Sequence, residues 1–339
     1  MRALLLTLSL AMLLGLTACN DRKYFIPNVV YSPTDAILVD GRAVLKITRD
    51  GITFKNGEFV TKSGKGDTVL PAGFHYVNQS SRYIIAANDS SDVIVLSRGH
   101  GTMVKKLTLS YPLVSAKIYG RRIIYMLEND MFGMYDFKAS KKQVEIKVGE
   151  AYAIDNRVTN PLVLNGGNTM AVPSLDGKIL LINPKNPHGA QSISIGTENV
   201  FNNVIYLDKI ADRRIIAATP RKLISFKKGS NHKYEAQIAD VDITGSTVYA
   251  ATQDGRILKL SSTLKVLAEK KFDYAEFLSI GVVGNRVYAV DKQGAVVVLD
   301  RKLSRSSVYK IDKVKSYTFI SGSRLYIDRK VIILPKLPL

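Results

Sequence analysis

The sequence predicts an all-β fold, an eight-bladed β-propeller of four-stranded antiparallel blades closed by an N-terminal strand, with seven blades as the alternative. Three observations point there. A pattern of short β-branched or aromatic run, Asp- and Gly-rich turn and second run recurs at about 40 residues. No window sustains the three-and-four apolar spacing of an amphipathic helix over three turns. Hydrophobic residues make up 46% of the chain and charged residues 23%, which excludes a disordered or collagen-like chain and leaves enough apolar surface for a large core.

Taken in chain order, the first element is an address. Met1-Arg2 is followed by an apolar run from Ala3 to Leu16 and then by Thr17-Ala18-Cys19. A basic start, about fourteen apolar residues and small residues before a cut describe a secretory signal over residues 1–18. It is short for a membrane span, although a transmembrane anchor is the alternative. Leu16-Thr17-Ala18-Cys19 resembles the bacterial lipobox. That resemblance implies cleavage before Cys19, a thioether-linked diacylglycerol on its sulfur, and an acyl chain such as palmitate on the new amino end. Cys19 is the single cysteine, so lipidation leaves no odd thiol, and no disulfide framework can form within the chain. Several acyl chains on one residue give stable attachment where one alone is marginal. Asn20-Asp21 does not match the simple inner-membrane retention signal, so the expected location is periplasmic and lipid-anchored, at the outer rather than the inner membrane.

Residues 19–35, with Pro27 and Pro33, read as a polar tether, and Phe25 to Val30 within it as the strand that closes the ring. Residues 36–339 are the propeller. Its clearest units are Thr247 to Leu260, Arg286 to Leu299 and Asn168 to Leu181, each two apolar runs around a turn such as Asp176-Gly177 or Asp254-Gly255. Asp-Gly between such runs signals a hairpin, because Gly accepts the positive φ of a tight turn. Weaker copies run Arg42 to Phe54, Arg82 to Leu96, Arg122 to Phe137, Arg214 to Phe226 and Arg324 to Leu334. Each is preceded by another apolar run and small turn, such as Val39-Asp40-Gly41 or Ile118-Tyr119-Gly120, and followed by a charged, less regular run. Four short strands per unit over essentially the whole mature chain favour a closed propeller over an open solenoid or two sandwiches.

A lipoprotein signal followed by such units resembles the BamB-like lipoproteins of the barrel-assembly machinery and, more broadly, the quinoprotein-type (PQQ-like) repeat family. The residues that carry the resemblance are Val287 to Asp300 and Val248 to Leu260, although the Thr-Gly that commonly closes such repeats is missing. The resemblance implies a non-catalytic, lipid-anchored scaffold in envelope assembly, attached to the membrane through Cys19 and holding a protein partner of the barrel-assembly kind. A ligand-binding or sensory propeller lipoprotein of another envelope complex is the alternative. Loops 152–157 and 198–203 are the expected partner contacts.

Catalytic chemistry is thinly supplied. The chain has no tryptophan, which quinoprotein dehydrogenases use to brace blades and stack on their cofactor, so no cofactor is expected. His75, His100, His188 and His232 are scattered without metal spacing and read as surface or turn residues. Asp50, Asp176 and Asp254 read as turn residues that hydrogen-bond their own backbone, not as metal ligands or acids. Lys62 to Asp67 lacks P-loop spacing and reads as a flexible loop. The formal charge is +19, but export makes nucleic acid an improbable partner, and anionic envelope surfaces account for the excess.

One charge pattern remains. Arg42, Arg82, Arg122, Arg214, Arg286 and Arg324 all stand just before the second strand of their units. If those strands start near the central channel, the six guanidinium groups ring one mouth and attract an anionic partner. Alternatively, each Arg lies along its own blade and pairs locally.

Overall fold

The computed structural model describes residues 23–27, 30–32, 35–154, 157–196, 202–211 and 213–339. Among them, 32 strands form eight four-stranded antiparallel sheets, and the helical content is two 3-10 turns at Asn165–Gly167 and Leu334–Lys336. The fold is the expected eight-bladed β-propeller. Blades 1 to 7 are consecutive quartets over residues 44–65, 75–108, 113–147, 162–194, 206–235, 238–271 and 277–310. Blade 8 takes its inner three strands from Thr318–Ser321, Arg324–Ile327 and Lys330–Ile333, and its outer strand from Ile37–Val39.

Period-two alternation explains why the inner strands are continuous apolar runs. In Arg286–Asp291, Val287 and Ala289 enter the core shared with blade 6. Tyr288 and Val290, on the other face, enter the core shared with blade 8. Both faces of a blade are covered, so both sets must be apolar. Each fully buried aliphatic side chain contributes about 1.5–3 kcal/mol. Eight such clusters join the eight successive pairs of blades. One of them sets Phe319 and Tyr326 of blade 8 against Ile52 and Phe54 of blade 1, so the ring is closed. Outer strands, covered on one side, alternate instead: Ser230–Glu235 turns every second side chain to solvent.

Two glycines are needed for close approach. In blade 3, Tyr125 lies over Gly133 on the neighbouring strand, and its hydroxyl donates to Glu145 two strands away at 2.8 Å. A Cβ at Gly133 would enter the ring. Gly255 combines a φ of 84° with the Phe272 carbonyl directly against it, which no side chain tolerates.

The first unit departs from the sequence reading by one strand. Val39-Asp40-Gly41 was expected to supply an inner strand and turn. Ile37–Val39 is instead the closing strand of blade 8, paired in register with Lys330–Ile332. Val44–Ile47 is the innermost strand of blade 1 and Gly51–Phe54 its second. Short apolar triplets next to Asp-Gly look alike at the inner and outer edges of a blade, and that is the source of the shift. Closure is therefore by an N-terminal strand, but not by Phe25 to Val30, of which residues 28 and 29 lie outside the described residues. Two further expectations change. Gly64–Lys65 is the short outer strand of blade 1, not a loop. His75 is buried at the start of blade 2, where desolvation and the Lys46 charge hold its pKa down at about 4.

The seam between blades 3 and 4 carries a titratable contact. Asp130 sits in a turn with φ 61°, and its Oδ1 accepts the Leu175 N–H at 2.8 Å. Its Oδ2 is buried without a partner among the described residues. Burial, with the charge of Asp176 nearby, pushes its pKa up to about 6. A folded pKa above the unfolded value means that ionisation weakens the fold. The cost is absent below about pH 4, grows as pH rises towards 6, and is complete above it. Asp130→Asn keeps the acceptor and suits the left-handed backbone. It is expected to raise stability by about 1–2 kcal/mol at pH 7 and by little at pH 4. Urea midpoints at the two pH values check this. An equal gain at both would assign the effect to the backbone.

Candidate functional site

The axis of the ring is where the sheets bring distant residues together. The innermost strand of blade 6, Ile238–Thr244, carries Asp240 and Asp242 at alternate positions, and that of blade 2 carries Asn78. Into this space comes the turn after Val44–Ile47. Arg49 pairs through Nη1 with Asp240 and donates Nη2 to the Val241 carbonyl at 2.9 Å. Its guanidinium lies 5.0 Å from the ring centre of Tyr206 in blade 5. Burial opposes the charge on Arg49, but the Asp240 carboxylate outweighs it and raises the pKa.

Next to it, Asp50 accepts from Asn78 at 3.2 Å and from Asn160, at the entry to blade 4, at 2.7 Å. Burial pushes the Asp50 pKa up, but the Lys62 charge and the Asn160 bond outweigh it and hold the group below the usual carboxylate range. Asn160 also accepts from the Ala116 N–H at 2.9 Å and donates to the Val77 carbonyl at 3.1 Å. A turn of blade 1 that reaches blades 2, 4, 5 and 6 lies across the axis and braces it.

Beside this brace is a cavity of about 480 Å³ lined in part by Arg49, Lys62, Asp240, Asp242, Glu276 and Tyr317. Its carboxylates are engaged. Asp240 accepts the Ile280 N–H at 3.1 Å, Asp242 accepts the Val282 N–H at 2.7 Å, and Glu276 pairs with Lys292 at 2.8 Å. Burial and the Asp240 charge push the pKa of Asp242 up, an environment that would favour a proton there. Among the described residues, no group of three His, Cys, Asp or Glu is arranged to hold a metal. Asp176 and Asp254 occupy equivalent turns and accept from the hydroxyls of Ser174 at 2.5 Å and Thr252 at 2.5 Å, and Asp50 accepts from Asn78 and Asn160, in place of the own-backbone bonds expected of the three.

The six arginines do not form one ring. Arg82, Arg122, Arg214, Arg286 and Arg324 stand at or just before their second strands, at one face. Arg42 precedes the innermost strand of blade 1 and lies at the other face, where it pairs with Asp40 at 2.6 Å and Glu58 at 3.1 Å. Arg122 donates to Gln143 at 3.1 Å and Arg214 to Ser230 at 2.8 Å, both on the outer strands of their own blades. Arg286 donates to the Leu337 carbonyl at 2.6 Å. Arg82 and Arg324 are exposed. Cys19 lies outside the described residues.

A basic groove that sequence reasoning missed runs along the seam of blades 8 and 1, with a volume of about 620 Å³. Ile37, Val44 and Ile332 are among its apolar lining, and exposed Lys55, Lys313, Lys315 and Arg329 stand at its edge. The two loops expected to meet a partner are tied together: Asn203 accepts the Ile154 N–H at 2.8 Å and donates to the Tyr152 carbonyl at 3.0 Å. Tyr152 and Ile154 are exposed beside it, whereas residues 155–156 and 198–201 lie outside the described residues.

No protein-family model matches the chain. It is 25% identical to the plasminogen-binding protein PgbB of Helicobacter pylori strain J99 over 360 aligned residues, and 24% identical to that of strain 26695. Each match covers 92% of this chain and 66% of the relative, so the chain spans just under two thirds of those proteins' length. Among solved structures it is similar to BamB from Moraxella catarrhalis, with a TM-score of 0.66, 15% identity, and 87% of this chain and 97% of that one covered. The C-terminal WD40 domain of Sif2 has a TM-score of 0.65, 12% identity, and 90% and 98% coverage. At these identities the solved structures show a shared propeller fold, and the fold hosts many functions.

Proposed function

We propose that the chain is a lipid-anchored, non-catalytic propeller of the bacterial envelope that holds a protein partner. One observation carries this reading. The ring is closed by its own N-terminal strand, which follows the lipobox through a short tether, and the charged groups at its axis are engaged in internal pairs and backbone bonds, which points to loops and rims for recognition. The similarity to BamB supports a scaffold of barrel assembly at the outer membrane. The PgbB relatives, similar over 92% of the chain, favour a second reading, in which the same surface binds plasminogen. In both, the contacts are either the joined loops around Tyr152 and Ile154 with an anionic patch of the partner set against the basic groove, or the opposite face, which carries Arg82, Arg122, Arg286 and Arg324.

Crosslinking in intact cells followed by capture from membranes tests the proposal. Recovery of a barrel-assembly protein supports the first reading, and binding of purified plasminogen with no such recovery supports the second. Cys19→Ser is expected to abolish incorporation of labelled palmitate and to release the protein from membranes. Replacing Arg82, Arg122, Arg286 and Arg324 together by Gln is expected to weaken partner binding and flatten its salt dependence. Unchanged binding would remove that face from the interface.

A further inference from the structure

We propose that the outer rim of blades 6 and 7 is the surface the protein turns toward its lipid bilayer. This rests on the reading of Cys19 as the lipidated residue. The described residues that follow that cysteine, from Lys23 on, are laid down on the propeller. Lys23 Nζ stands 5.5 Å from the ring centre of Tyr274, and Phe25 meets Phe272 edge-on at 5.7 Å. Phe25 also packs against the core that blades 6 and 7 share. Farther on, Tyr31 adds to the outer strand of blade 7. It donates its N–H to the Val308 carbonyl at 2.9 Å and accepts the Lys310 N–H at 3.0 Å. The segment then becomes the outer strand of blade 8.

This path limits the reach of the lipid. From Cys19 to Lys23 the chain advances four residues and spans at most about 14 Å when fully extended. Packed sheets are roughly 10 Å apart, so the acylated residue stays within about one to two blades of Lys23. The rim of blades 6 and 7 is therefore held at headgroup level, and in the closed ring of eight the rim of blades 2 and 3 points away.

The composition of the rim suits that place. Ile26 is 83% exposed, and Leu267, Tyr274 and Tyr24 are more than half exposed. Lys23, Lys265, Lys270 and Lys271 share these segments with Glu269 and Asp273, and Asp254 and Glu276 beside Tyr274 are paired with Arg256 and Lys292. Aliphatic and Tyr side chains with a surplus of lysine fit the interface of an anionic bilayer, where apolar groups enter the headgroup boundary and ammonium groups meet phosphate.

The chain has no tryptophan, so one introduced indole reports alone. Full-length protein is purified from membranes in three versions, Leu267→Trp, Tyr274→Trp and Tyr111→Trp, the last in the connection between blades 2 and 3. Intact mass establishes the lipid on Cys19 first. Each version is then placed in phosphatidylglycerol-containing vesicles with acyl chains brominated near the headgroup. Quenching of at least twofold is expected at positions 267 and 274, and none at 111. Equal quenching at all three, or stronger quenching at 111, would overturn the orientation while leaving lipidation intact. A mass without lipid would overturn both, through the anchor itself.

Discussion

Asp240→Asn is expected to lower the stability of the propeller by about 3 kcal/mol, and Arg49→Met by a similar amount. The pair joins blade 1 to blade 6 across the axis, and the two side chains are only 11% and 10% exposed. Removing one charge leaves the other buried with few alternatives. Arg49 would keep the Val241 carbonyl and the face of Tyr206, and its Nε already lacks a partner among the described residues. Asn at position 240 has one acceptor oxygen, so it can keep the Ile280 N–H but loses the Val241 N–H that the other carboxylate oxygen accepts, and the expected cost includes that bond.

Arg49→Met with Asp240→Asn removes both charges and is expected to be more stable than the sum of the single effects predicts, with a coupling of about 2 kcal/mol. Urea unfolding of the four proteins measures it. Additive effects would mean that the two charges do not interact across the axis. The slope of the transitions is informative too. Blades packed only on their neighbours resemble a repeat array, whereas a turn that touches four other blades couples them. Loss of the brace is therefore expected to broaden unfolding as well as shift it.

The legible and illegible parts of this molecule separate by range. Hairpins such as those at Asp176-Gly177 and Asp254-Gly255 are local, and the covered faces of each blade write a continuous apolar run that a reader can count. The phase of the first unit was not legible, because Ile37–Val39 and a true inner strand are both short, apolar and followed by a turn. Only pairing with residues near 331 tells them apart, and that contact is not local. The brace is harder still, since Arg49 and Asp240 are 191 residues apart. A partial signal existed in Asp240-Val241-Asp242, where two carboxylates at alternate positions of an inner strand share one face of the blade and need partners there. For the arginines, sequence located the backbone of five at one face. The direction of a long side chain depends on what lies along the blade, and Gln143 and Ser230 draw Arg122 and Arg214 outward.

The closing strand supplies the second large effect. Ile333 donates its N–H to the Ala36 carbonyl at 2.8 Å and Asp40 donates to the Arg329 carbonyl at 2.7 Å. Antiparallel alternation then makes Leu38 and Val331 the hydrogen-bonded pair between them. The Leu38 side chain is half exposed, so its contribution is mainly through the backbone. Leu38→Pro removes a ladder donor from a strand of three residues and is expected to cost about 2–4 kcal/mol, while Leu38→Ser is expected to cost under about 1 kcal/mol. Because that strand seals the ring, the damage is expected at the seam. Amide exchange should accelerate in Arg324–Ile327 and Lys330–Ile333 and remain slow in Arg122–Leu127 of blade 3. Uniform acceleration would show that the ring fails as a whole and that the seam is no weaker than any other junction.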